Sequence, residues 1–65
     1  MIPITRIQYW KLEQQIKENR FLSITGSLYF SSAYLEPARY RDDSGKVWAT
    51  HSSEGYFADP RLIKD

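Results

Sequence analysis

Thr5 to Arg20 reads as one helix with apolar side chains on two faces, and this limits what the chain folds into. At about 100° per residue, Tyr9, Leu12 and Ile16 share one narrow sector, while Ile7 and Trp10 point to the far side. A helix that only closes a core needs one apolar face. The far side is therefore covered either by another part of the chain, for which Leu22 to Leu35 is the candidate, or by a partner. The start of the helix is written locally. Thr5 followed by Gln8 matches a capping box, and Ile4 and Tyr9 are spaced to staple that end. Lys17 and Arg20 near the other end suit the helix dipole.

With 65 residues and no cysteine, the chain has to form one small core without disulfides or a thiolate zinc site. Its two Trp, five Tyr and three Phe supply large apolar area from few positions. These numbers predict a single domain over residues 1–65. No apolar run approaches the roughly 18 residues of a membrane span, and the first residues lack the order of a signal peptide. The expectation is a cytoplasmic protein without a membrane partner.

From Phe21 the helical period gives way to β-branched, aromatic and serine residues. Phe21–Thr25 and Ser27–Ser31 read as strand segments about Gly26, which is either a tight turn or a bulge; a second helix over Ser27–Leu35 is the rival, opposed by Pro37. Further on, Asp42-Asp-Ser-Gly45 and Ser52-Ser-Glu-Gly55 are turn sequences of one type. A type I turn with a glycine bulge at each pairs Asp42 with Lys46 and Ser52 with Tyr56. That register gives a meander with Ala38, Tyr40, Trp48, Thr50, Tyr56 and Ala58 on the core face. Arg39, Arg41, Val47, Ala49, His51 and Phe57 fall on the other. Asp59-Pro60 reads as an N-cap before a final short helix.

No constellation carries chemistry. His51, Ser52, Ser53, Asp42 and Asp43 include the residue types of a hydrolase, but the meander keeps the aspartates at a distant turn. One histidine and no cysteine leave no metal set, and Asp42-Asp43-Ser44 lacks the alternation of a calcium loop. Ser44-Gly45-Lys46 lacks the first glycine of a phosphate loop, and Val47 stands where the hydroxyl residue belongs. Neither a cofactor nor a small-molecule substrate is implied.

Two binding surfaces remain. Ile7, Trp10, Gln14 and Lys17 follow an i, i+3, i+7, i+10 path, the spacing by which a helix presents anchors to a groove or a second helix. Arg39, Arg41, Lys46 and His51 cluster about one hairpin and are the candidate contacts to DNA or RNA, against a net charge of only +1. The sequence therefore predicts an α+β domain, an N-terminal helix packed on a small antiparallel sheet. Its element order resembles the start of a double-stranded-RNA-binding domain, without the basic second helix, so no residue carries over. The predicted function is non-enzymatic: a protein-binding regulator or inhibitor, of phage or mobile-element type, that docks on a larger protein or self-associates through the helix. Nucleic-acid binding through the hairpin is the alternative.

Overall fold

Thr5 starts the helix as its side chain dictates: its hydroxyl accepts from Gln8 N at 3.1 Å, and Gln8 Oε1 accepts from Thr5 N at 2.8 Å. The structure, a computed structural model, describes residues 1–32 and 38–63. The helix, α1, runs Arg6–Lys17, and Asn19 in a left-handed conformation (φ 59°) turns the chain away before Arg20. Around it lie β1 (Ile2–Ile4), α2 (Leu22–Thr25), β2 (Tyr29–Ser31), β3 (Ala38–Arg41), β4 (Val47–Ser52), β5 (Gly55–Ala58) and α3 (Pro60–Ile63). The five strands form one antiparallel sheet in the order β1-β5-β4-β3-β2. This is the α+β fold the sequence predicts, with the meander β3-β4-β5 at its centre. Strand β1 ahead of the helix removes the resemblance in element order to the double-stranded-RNA-binding domain.

The expected strand over Phe21–Thr25 is instead the short helix α2. Phe21 O accepts from both Ile24 N (2.9 Å) and Thr25 N (2.8 Å), and Gly26 at φ 72° ends the turn. Gly26 is thus a helix stop, neither hairpin turn nor bulge. Residues 29–31 are strand rather than helix, and the expectations for 33–37 lie outside the described residues.

The first meander turn closes as expected, with Asp42 N donating to Lys46 O (3.1 Å) and Gly45 at φ 88°. Two one-residue corrections follow. A bulge between Tyr40 and Arg41 pairs Tyr40 with Ala49 rather than Trp48, and the second turn pairs Ser52 with Gly55 rather than Tyr56. The two shifts cancel between β3 and β5, so Ala38, Tyr40, Tyr56 and Ala58 still share a face. Only β4 is turned over: Ala49 and His51 face the helix, and Thr50 faces away. Burial explains why this register wins over the turn template, because it sets Ala49 directly against Ala58, both fully buried beneath α1 and α3.

Complete rows cross all five strands. Ile2, Ala58, Ala49, Tyr40 and Phe30 form the helix-side row, and Pro3, Phe57, Thr50, Arg39 and Ser31 form the opposite one. The core joins Tyr9 and Leu12 of α1 to Tyr40, Trp48, Ala49, Ala58 and Leu62. Trp48, the extra residue of the bulge, stays buried. Its Nε1 donates to Asp42 Oδ2 at 2.8 Å, while Lys46 Nζ and Arg61 Cζ lie 4.2 and 4.4 Å from its ring centroid. At the start of α3, Asp59 Oδ1 accepts from Arg61 N, the expected cap.

Candidate docking cleft

A 12-residue helix covers about half of the inner face of a five-stranded sheet, since strands sit about 4.8 Å apart and a helix is about 10 Å wide. Among the described residues α1 packs on β5 and against α3, and no helix packs closely on β2. The result is a cleft of about 790 Å³ beside α1, walled by Ile7, Trp10 and Glu13 on the helix and by Phe30, Ala38 and His51 on the sheet.

Its apolar walls are open to solvent. Ile7 and Trp10 are each 64% exposed and Phe30 is 56% exposed. Of the segment Leu22 to Leu35, expected to make Trp10 a core residue, the described part, residues 22–32, does not bury Trp10: α2 and Leu28 pack near Ile16 instead, and the remainder lies outside the described residues. Gln14 and Lys17 are exposed on the same helix. All four helix-face candidates lie on the accessible side of α1.

Polar groups in the cleft are few. Tyr40 donates to Glu13 Oε2 at 2.7 Å, and burial together with this bond raises the Tyr40 hydroxyl well above its ordinary pKa. Tyr9 is buried with its hydroxyl unpaired among the described residues; burial first, then the nearby Glu13 carboxylate, pushes its pKa up to about 12. His51 stacks on Tyr56 at 4.6 Å between centroids and lies 5.8 Å from the Tyr9 ring. Among the described residues it bonds to no hydroxyl or carboxylate, so no nucleophile–base pair is formed. Nor does any cluster of three potential metal ligands occur among them.

The four nucleic-acid candidates do not converge. Arg39 and Arg41 lie on the helix-free face, where Arg41 Nη2 donates to Ser31 Oγ at 2.9 Å. His51 is on the opposite face. Lys46 is engaged at the sheet end, its Nζ 3.3 Å from Asp59 Oδ2 and over the Trp48 ring. The turning over of β4 accounts for the separation of His51 from the arginines. Sequence reasoning also missed Phe30, whose exposed ring packs 5.1 Å from Tyr40 and forms the far wall of the cleft. No helix of the described residues is long and apolar enough to cross a membrane. No protein-family model, curated protein or solved structure matches the chain.

Proposed function

We propose that this protein is a non-enzymatic protein-binding module that docks through α1, with Ile7 and Trp10 as anchors and the adjoining cleft as the receptor for an apolar segment of its partner. The observation that carries this reading is the exposure of Trp10 beside an apolar-walled cleft. A small domain gains stability by burying tryptophan, and exposed tryptophan beside a pocket is the composition of a binding hot spot. Regulation or inhibition, by docking on a larger protein or by self-association through α1, is the role that fits a module with a docking face and, among the described residues, no assembled catalytic groups.

The test places a benzoylphenylalanine photo-crosslinker at Gln14 in the native host, with Ser44 in the β3–β4 turn as the control position. A defined protein adduct from Gln14 that Trp10→Ala removes is the expected result. Adducts equal from both positions, or unaffected by Trp10→Ala, would overturn the reading. The second reading, nucleic-acid binding, rests on Arg39 in one row with Thr50 and Phe57, and on Arg41 paired with Tyr29, on the helix-free face. Arg39→Ala with Arg41→Ala would then weaken binding and flatten its salt dependence; no binding at low salt disposes of it.

A further inference from the structure

Resting on that docking reading, we infer that the occupant of the cleft is a second copy of this chain, joined by a two-fold axis beside Trp10. The chain carries both halves of such a contact: an apolar ridge on α1, and next to it, at Phe30 and Ala38, a strip of the sheet that no described helix covers. Reciprocal docking lays the two helices side by side and antiparallel between two facing sheets, each filling the space that the other sheet leaves bare.

Helix geometry fixes what meets across the axis. Trp10 is on the flank of α1 toward the cleft and packs against its own equivalent. Ile7, farther from the sheet, comes down on Phe30 of the second copy. Arg6 and Glu13 bracket Trp10 on the same flank, four residues before and three after. An antiparallel two-fold at Trp10 therefore faces each Arg6 with the Glu13 of the second copy, giving two opposite-charge pairs from one sequence. Among the described residues Arg6 makes no ion pair, and Glu13 uses Oε2 toward Tyr40, leaving its other oxygen to accept.

The area agrees. At about 150–250 Å² per large side chain, the exposed parts of Trp10, Ile7 and Phe30 give roughly 400 Å² of apolar surface per copy. A specific interface buries about 800 Å² per partner with a little over half of it apolar, so these three residues supply the required share.

Sedimentation velocity on the full chain, from micromolar to millimolar concentration, tests this. The mass should rise from 7.7 kDa toward twice that value. Arg6→Glu and Glu13→Arg should each raise the dimer Kd at least about tenfold, and an equimolar mixture of the two should recover it, because every cross-axis pair is then again of opposite charge. Trp10→Ala, at an exposed position that leaves folding intact, should also weaken the dimer at least about tenfold. A wild-type chain that stays at 7.7 kDa throughout overturns self-pairing, while the crosslinking test still decides the docking reading. A dimer indifferent to Trp10→Ala uses another surface and overturns the inference. A dimer lost with Trp10→Ala yet unaffected by Arg6→Glu overturns the two-fold arrangement and leaves the docking face standing.

Discussion

Leu12 and Trp10 stand two residues apart on one helix, yet Leu12 is 1% exposed and Trp10 64%. The difference follows from which half of the sheet each meets. Over β5 and β4, small residues at Ala58 and Ala49 let α1 approach closely, and Leu62 of α3 closes the end. Beyond β4 the inner face runs through Tyr40, buried and bonded to Glu13 of α1, to Phe30 on β2, which no described element covers. One half of the inner face is finished as a core. The other, about Ile7, Trp10 and Phe30, is exposed among the described residues, so these apolar side chains contribute little to folding.

Breaking the finished half should have the largest effect. Leu12→Ala leaves a cavity at a fully packed site and should cost about 2–5 kcal/mol, against a total of about 3–10 kcal/mol for a chain of this length. Urea denaturation followed by circular dichroism would show most or all of the folded state lost. Trp48→Phe comes next. It keeps a ring in the core but removes the indole donor to Asp42, and should cost about 1–3 kcal/mol by the same measurement.

Acid tests the same corner without mutation. The Ser44 hydroxyl first, then the Trp48 indole, hold Asp42 down at about 2 from the ordinary 3.8. The unfolded chain therefore takes up this proton before the folded one does. Asp42 contributes its stabilisation fully above pH 3.8 and loses it as pH falls toward 2. Urea midpoints across that range should drop, and Asp42→Asn should flatten the drop while lowering the midpoint at neutral pH.

The smallest effects lie where the core meets the cleft and beyond it. Tyr9→Phe removes a buried hydroxyl with no partner among the described residues and should leave stability unchanged or slightly raised, within about 1 kcal/mol. Trp10→Ala should alter unfolding by no more than about 0.5 kcal/mol. If it unfolds the protein instead, the division into a finished and an open half is wrong.

Local signals were legible in the sequence and tertiary ones were not. The capping box at Thr5 and Gln8, the Asp59-Pro60 cap and the Asp42 turn are each decided within a few residues, and each forms as read. The β4 faces were not legible, because the bulge that shifts Trp48 serves burial of Ala49 against Ala58, a relation between strands. Strand β1 was hidden by its shortness and by Pro3, which is tolerated only because β1 is an edge. In Leu22–Thr25 the β-branched residues argued for strand, and Gly26 with the Phe21 carbonyl overrode them. For the cleft, Ile7 and Trp10 were readable from periodicity alone. Phe30 was not, since its exposure depends on how far one helix reaches across five strands.

The two tryptophans give the molecule a pair of built-in optical reporters with separate assignments. Trp48, dry and hydrogen-bonded beneath two cations, emits from the interior and shifts to the red only when the fold opens. Trp10 is exposed, so a blue shift in its fluorescence would register covering of its ring. A titration of the wild type, repeated on Trp48→Phe to isolate the Trp10 signal, separates association from unfolding without a label.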